Sequence, residues 1–313
     1  MKVSILCIAF NHEKYIRDAL EGFVNQKTDF DFEVIVHDDA STDRTADIIK
    51  EYAEKYPHLI KPILQMENQF SKRVDICREI MFPVATGSYI ATCEGDDYWI
   101  DTQKLQLQVD FLDQNPQYSA CVHNSYKQEM LTGKKTVLYG TQDCDLYTTH
   151  VLNGGACCYQ TASLMFRREA FYDFPPFLPV FHDYPFSIHL SFLGPIRYMS
   201  RVMSVYRFGT ESSSVSAARK DMRRTAEIYK YVIDLLRQVN EYTNFVYDGQ
   251  IKELITYNTY KVLFFEEKYS DMRKPEYQHL YRKESLSTRI KMRLKQYFAQ
   301  LYHLYRKQKY GKT

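Results

Sequence analysis

The sequence predicts an α/β fold, a parallel sheet with right-handed crossovers through flanking helices, followed by a helical C-terminal region. Three observations carry this. Apolar runs of strand length alternate with segments of helical apolar spacing from Val3 to Thr92. Three of those runs end in polar clusters, Phe10-Asn11, Asp38-Asp39 and Asp96-Asp97. From Ser216 onward the apolar positions fall on helical faces.

Val3 to Phe10 is nearly continuous in apolar residues, as a central strand covered on both faces requires. Tyr15, Ile16, Ala19, Leu20, Phe23 and Val24 then follow helical spacing. Phe32 to Val36 reads as the second strand, and Ser41 as the N-cap of a helix whose apolar face holds Ala46, Ile48, Ile49, Tyr52 and Ala53. Leu59 to Leu64 is a third strand, and a helix from about Val74 meets Pro83, which breaks or kinks it. Ser88 to Thr92 is a short buried strand that enters Cys93-Glu94-Gly95-Asp96-Asp97-Tyr98-Trp99. The next helix begins near Asp101.

The pattern changes after about Asn115. Ser119 to Tyr126, Lys135 to Tyr139, Cys157 to Phe166 and Arg197 to Tyr206 read as strands, and His182-Asp183-Tyr184-Pro185 opens a helix from Phe186 to Leu193. In the last stretch, Leu286, Ile290, Leu294, Phe298, Leu301 and Tyr305 recur every three or four residues with Arg289, Lys291, Arg293 and Lys295 between them. The implied division is 1–216, with a change of pattern between 1–115 and 116–216, then a helical region, 217–313.

A chain of 313 residues is long enough to bury a sizeable core. Its net charge of +2 hides an asymmetry: Arg273 to Thr313 holds twelve Lys or Arg against two Glu, a net of +10, which leaves 2 − 10 = −8 for the remainder. The seven cysteines show no CxxC pair and no zinc spacing, which suits small apolar residues in a reducing compartment. No signal peptide and no run of about 20 apolar residues is present, so the expectation is a cytoplasmic protein that meets a membrane only at its surface.

Two adjacent carboxylates, Asp96 and Asp97, at a strand end repel each other unless a cation or a hydrogen-bonded ligand compensates. A hard divalent ion bound through one or two carboxylates and substrate phosphates would do so, and an acidic helix cap is the plain alternative. In parallel sheets ligands bind at the carboxyl ends of strands, where all three polar clusters are expected to converge.

Six segments together resemble family 2 glycosyltransferases of the GT-A fold. Ser4 to Glu13 with Tyr15-Ile16 and Gln26 is similar to the family's opening, and Asp38-Asp39-Ala40-Ser41-Thr42-Asp43 to its second signature. Arg78 with Ala85 to Ile90 resembles the run into its metal motif, whose place Glu94-Gly95-Asp96-Asp97 occupies. Trp99, Lys104, Leu105 and Gln108 match the family's pattern just after that motif. His182-Asp183-Tyr184 resembles the segment of the catalytic base, and Val205-Tyr206-Arg207 with Ser214-Val215-Ser216 the closing segment. The likeness covers Met1 to Ser216 and implies a Rossmann-like mixed sheet flanked by helices, with 217–313 as a C-terminal extension.

That resemblance implies inverting transfer of a hexosyl or N-acetylhexosaminyl group from a nucleotide-diphosphate donor, most simply a UDP-sugar, to a hydroxyl of a glycan or lipid-linked glycan in surface-polysaccharide biosynthesis. Carried across by position, Ala9, Phe10 and Asn11 line the nucleotide, and Asp39 accepts the N3–H of the base. Arg78 stands near the pyrophosphate and Asp96 near the ribose. Asp97 holds Mg²⁺ or Mn²⁺, and Asp183 is the general base. His182 is the second choice as base, and an N-cap for the helix at Phe186 is the alternative role of Asp183. Asp38 and Asp43 read as turn and cap residues, and Arg207 either approaches the diphosphate or forms a surface salt bridge. Where relatives carry a histidine as an additional metal ligand, Gly209 stands here. Gly154-Gly155 either admits an acceptor sugar or forms a plain turn.

The basic C-terminal helix reads equally as a peripheral contact with an anionic membrane or as a helix packed on the body. Nucleic acid is excluded as a partner, since no base-stacking or groove-entering module is present. A non-catalytic nucleotide-sugar-binding or assembly protein on the same scaffold is the alternative function. The carboxylates at 39, 96, 97 and 183 argue against it. A nucleotidyltransferase would start with a Gly-rich phosphate loop, which is missing after Phe10.

Overall fold

Strand-forming runs and amphipathic helices alternate in the structure as their periodicities require. It is a computed structural model that describes residues 1–172, 174–175, 177–178, 183–210 and 221–310 (without the side chains of 156, 299–300 and 302–310). The chain divides into two compact units, Met1–Ser213 and Ser214–Thr313.

In the first unit β1 (Val3–Ala9), α1 (Ile16–Val24), β2 (Phe32–Asp38), α2 (Thr45–Lys55), β3 (Ile60–Leu64) and β4 (Tyr89–Thr92) form the N-terminal half. The other half comprises β5 (Tyr98–Trp99), α3 (Lys104–Gln114), β6 (Ala120–Glu129), β7 (Lys135–Val137), β8 (Cys144–Leu146), α4 (Thr148–Gly154), β9 (Met165–Arg167), α5 (Asp183–Leu193) and β10 (Ile196–Phe208). The sheet order is β3-β2-β1-β4-β9-β6-β10-β5, with β7 beside β6 and β8 beside β10. β1 to β4 are mutually parallel, β9 runs antiparallel to β4 and β6, and β10 is parallel to β6. This is the expected mixed sheet. Val3, Ile5 and Val36 pack with Ile16, Leu20 and Phe23 of α1 and Ile49 of α2 to form its main core.

Three local expectations are corrected. The helix from Val74 is a π-helical turn (Ile76–Met81) followed by a 3-10 turn (Phe82–Val84), because Pro83 has no N–H with which to continue the ladder. The strand from Cys157 to Phe166 shrinks to β9: 3-10 turns at Gly155–Cys157 and Thr161–Ser163 close their hydrogen bonds locally. Ser41 does not cap α2. Its hydroxyl bonds Asp38, and Asp43 takes the Thr45 N–H (2.9 Å) at the true helix start. Gly155 has φ 58 with open space where a Cβ would stand, so the turn needs glycine for its left-handed backbone and not for close approach.

The second unit holds α6 (Met222–Tyr242), α7 (Asp248–Phe265), α8 (Gln278–Lys283) and α9 (Leu286–Tyr310). Asp221 caps α6 by accepting the N–H groups of Arg223 (2.9 Å) and Arg224 (3.2 Å). Met292 of α9 is buried with Tyr260, Tyr269, Met272 and Tyr281 in a small separate core. No helix among the described residues is long and apolar enough to cross a membrane.

Candidate active site

Parallel pairing brings the carboxyl ends of β1, β2 and β4 together. The Asp39 N–H donates to the Ala9 carbonyl (2.9 Å) and the Gly95 N–H to the Ile8 carbonyl (2.9 Å), so the chain leaves all three strands at one edge. Ala9 is fully buried, while Phe10 projects with 39% of its surface exposed. Asn11 takes a left-handed backbone (φ 56), donates its N–H to Ser41 Oγ (2.9 Å) and accepts the Thr42 N–H at Oδ1 (2.8 Å). Asp38 and Asp43 serve as turn and cap residues, as expected.

Asp39 is buried, and its two carboxylate oxygens accept the N–H groups of Gln69 (2.7 Å) and Phe70 (3.1 Å), while Asn68 Nδ2 donates to its carbonyl (3.0 Å). A carboxylate has more lone pairs than these bonds use. Asp39 therefore holds the 68–70 wall in place with acceptor capacity remaining. No motif or periodicity in the sequence signals this wall.

Gly95 lets the β4 loop lie against the first strand: a Cβ there would meet His12 Nδ1 and Ile16 Cδ1 at 2.9 Å. The loop carries three carboxylates. Asp97 is 4% exposed and accepts the Arg207 N–H (2.8 Å). Burial, with Asp96 and Glu94 close by, still pushes its carboxyl well above the usual range. Asp96 is half-buried and accepts the Thr210 hydroxyl (3.1 Å). Glu94 is pushed up to about 8 by burial, then by the charges of Asp183 and Asp96, against a hydrogen bond from Thr161. Its Oε2 is buried with no hydrogen-bond partner.

Arg207 does form a salt bridge, with Asp18, but its own side chain is buried. It is 6% exposed, donates from Nη1 to the Asp96 carbonyl (2.9 Å), pairs with Asp18 and lies 4.3 Å from the Tyr98 ring centroid. It clamps the acidic loop from behind.

Asp183 is not an N-cap for a later helix start but sits exposed in the first turn of α5, where the helix dipole favours a carboxylate. Its Oδ1 accepts the Thr161 hydroxyl (3.4 Å), so one threonine contacts both Asp183 and Glu94. His182 and the Ser214 to Ser216 segment lie outside the described residues. Arg78 is exposed on the π-helical turn and has no ion pair among the described residues. The thiol of its neighbour Cys77 is raised by burial, then by the charges of Asp75, Glu94 and Asp183. Ala9, Phe10, Asn11, Asp39, Asp96 and Asp97 thus lie at or after strand ends at one edge of the sheet, and Thr161 links Asp183 to the same loop. Glu94 stood inside the predicted motif without a role, and Thr161 and Thr210 gave no sequence signal at all.

The sequence pattern of the family described as Glycosyl transferase family 2 matches residues 4–174. An uncharacterized protein of Mycobacterium tuberculosis is 38% identical over 208 residues, 66% of this chain and 58% of the relative, so the chain spans little more than half the length of that relative. The UDP-Glc:alpha-D-GlcNAc-diphosphoundecaprenol beta-1,3-glucosyltransferase of Escherichia coli is 33% identical over 111 residues, 36% of this chain and 41% of that protein. Staphylococcus aureus TarS in complex with UDP-GlcNAc superposes with a TM-score of 0.62 at 18% identity, covering 88% of this chain and 78% of that one. A mannosyltransferase from Pyrobaculum calidifontis in complex with GDP-Man and Mn²⁺ gives 0.55 at 15% identity, covering 97% and 82%. The two solved structures share the GT-A sheet and its flanking helices, and the match over more than half the chain shows that it belongs to glycosyl transferase family 2.

Proposed function

We propose that this chain is an inverting glycosyltransferase that moves a hexosyl or N-acetylhexosaminyl group from a UDP-sugar to a hydroxyl of a glycan or lipid-linked glycan, in surface-polysaccharide biosynthesis at the inner face of a membrane. The observation that carries it is the acidic cluster of Glu94, Asp96, Asp97 and Asp183 at the strand edge that also holds Asn11 and Asp39. Carboxylates gathered in a partly buried site are unfavourable by themselves and are matched by a cation-bridged diphosphate.

In this reading Ala9, Phe10 and Asn11 bound the nucleotide and Asp39 receives the N3–H of the base. Arg78, free to turn on its exposed face, reaches the pyrophosphate, and Asp96 the ribose. A divalent ion, Mg²⁺ or Mn²⁺, fits the residues present: Asp97 would hold it, beside the unpartnered Oε2 of Glu94. Among the described residues no group of three or more His, Cys, Asp or Glu could hold a metal ion, so donor phosphate oxygens would have to supply the remaining ligands. When bound, it would neutralise the charge gathering on the leaving diphosphate.

Asp183 comes from a later segment than the proposed donor-binding residues and is solvent-exposed, as a base that meets an acceptor must be. It takes the proton of the acceptor hydroxyl as that oxygen bonds to the anomeric carbon and the bond to the diphosphate breaks, releasing UDP. Attack opposite the leaving group inverts the anomeric configuration. Incubation with a panel of UDP-, GDP- and dTDP-sugars, a candidate acceptor and Mn²⁺, read by NMR of the product's anomeric proton, tests this. An α-linked donor giving a β-linked product is expected. Retention of configuration, or donor binding without turnover for every acceptor and water, would remove the reading in favour of a binding protein.

A further inference from the structure

Helix α9 is anchored on one side and bare on the other. Met292 packs into the core of Tyr260, Tyr269, Met272 and Tyr281, and Lys295 pairs with Glu267. By helical periodicity the opposite face carries Leu286, Ile290, Leu294, Tyr297, Phe298 and Leu301, which are 67%, 47%, 50%, 59%, 62% and 43% exposed. Six large apolar side chains in one continuous stripe are not the scattered singles of an ordinary surface. Lys291 and Arg293, both exposed, flank the stripe on its two sides. The whole of Leu286–Tyr310 holds seven Lys or Arg and no Asp or Glu.

A second feature lies at the edge of this stripe. Arg273, Arg293, Gln296 and Tyr297 line an open cleft of about 340 Å³. Neither guanidinium has an ion pair among the described residues. Two arginines beside an amide and a phenol present donors suited to the oxygens of a phosphate group. The cleft and the stripe share Tyr297, so a phosphate held by the arginines would have its acyl chains along the apolar side chains.

We infer that this face of α9 docks in the plane of an anionic phospholipid bilayer, with the apolar stripe at the acyl boundary and the arginine cleft on a lipid phosphate. Charge complementarity selects this occupant. A stripe flanked by cations, on a helix without one acidic residue, would face an identical row of cations in a second copy of the chain. An anionic lipid surface instead offers apolar depth beneath a negative plane. The inference needs no particular donor or acceptor, so a vesicle-binding result and a transfer result can fail separately.

The test is co-sedimentation of the full chain with vesicles of phosphatidylcholine alone or mixed with phosphatidylglycerol. Two double variants are compared: Leu294→Glu with Phe298→Glu, and Arg273→Gln with Arg293→Gln. All four positions lie outside the catalytic site, and circular dichroism melting confirms that each variant folds. The wild type is expected on the anionic vesicles and in the supernatant with neutral ones. The glutamate pair should weaken partition at least ~10-fold and the glutamine pair ~5-fold or more, with both losses growing smaller at high salt. No binding to anionic vesicles overturns the inference, as does binding that neither variant weakens. Self-association abolished by the glutamate pair without vesicle binding would assign the face to a second copy. Glycerol 3-phosphate in solution, added at the lipid phosphate concentration and displacing the protein from vesicles, would make the cleft a soluble-phosphate site and overturn the membrane assignment.

Discussion

Met1–Ser213 holds several charged side chains inside, and its most exposed apolar ones, Leu131 and Met66, lie on loops. In Ser214–Thr313 exposed apolar side chains line up along one helix. The first unit buries Glu33, Asp38, Asp39, Asp97, Lys104 and Arg207, each with named partners. The second exposes a row of six large apolar residues along α9. Buried charge is costly unless matched by hydrogen bonds or an opposite charge, so its retention marks positions where something other than stability is selected. Exposed apolar surface marks a place where water is meant to be replaced. The contrast is the one expected if the proposed chemistry belongs to one unit and the proposed attachment to the other.

Lys104 shows how far the first unit carries this. It is fully buried, its Nζ donates to Gln108 Oε1 (2.8 Å), and it lies 3.9 Å from the Trp99 ring centroid. Gln108 in turn donates to the carbonyls of Cys121 (3.0 Å) and Ser163 (2.9 Å). Burial pulls the Lys104 ammonium down to about 7. The network ties α3, β6 and the 161–163 turn to the segment just after the acidic loop.

Four experiments probe the contrast. The largest effect is expected at Asp183: Asp183→Asn should lower kcat by about 10²–10⁴-fold with donor affinity nearly unchanged, measured by steady-state UDP release. An unchanged kcat would leave the exposed carboxylate with no chemical role. Next comes Arg207→Ala, which keeps the 207 N–H bond to Asp97 but removes the buried guanidinium from the Asp96 carbonyl and from Asp18, and should destabilise the first unit by about 2–4 kcal/mol in urea unfolding. Asp18→Asn, at the solvent end of the same pair, should cost under about 1 kcal/mol.

Third is the pH dependence of Lys104. Its folded value near 7 lies below the unfolded value of about 10.4. Between those limits the unfolded chain binds more protons, so stability contributed by this group rises with pH from about 7 to 10 and is flat below 7. Lys104→Met, similar in volume, should remove up to about 1.4 kcal/mol per pH unit from that slope, read from unfolding curves at pH 7, 8 and 9. A slope unchanged in the variant would show that Lys104 is not the titrating group. Smallest is the second unit: Leu294→Glu with Phe298→Glu should change unfolding stability by less than about 0.5 kcal/mol per site. A loss of several kcal/mol would mean that the stripe is core and the contrast false.

Much of the first unit was legible because its signals are local. Val3 to Phe10 reads as a covered strand from its own composition, and the polar clusters at Asn11, Asp39 and Asp97 come within five residues of strand ends. Arg207 was not legible, since its burial depends on packing against residues 110 positions away. Glu94 was visible as a letter of the motif, but its burial beside Asp183 arises only when α5 and the 161–163 turn fold against the β4 loop. The residues from Cys157 to Phe166 have strand composition, yet locally closed 3-10 turns prevail over propensity there. For α9 the period was readable, whereas which of its faces meets a core depended on where Met292 finds Tyr260 and Tyr281.

In the proposed site, carboxylates from separate segments serve one bound donor. Calorimetric titration of the donor sugar nucleotide into wild type, Asp97→Ala and Asp183→Asn, each with and without Mn²⁺, addresses it most directly. Affinity should rise with Mn²⁺ in the wild type and in Asp183→Asn, and the Mn²⁺ effect should vanish in Asp97→Ala. Equal Mn²⁺ enhancement in folded Asp97→Ala, or none in the wild type, would contradict it.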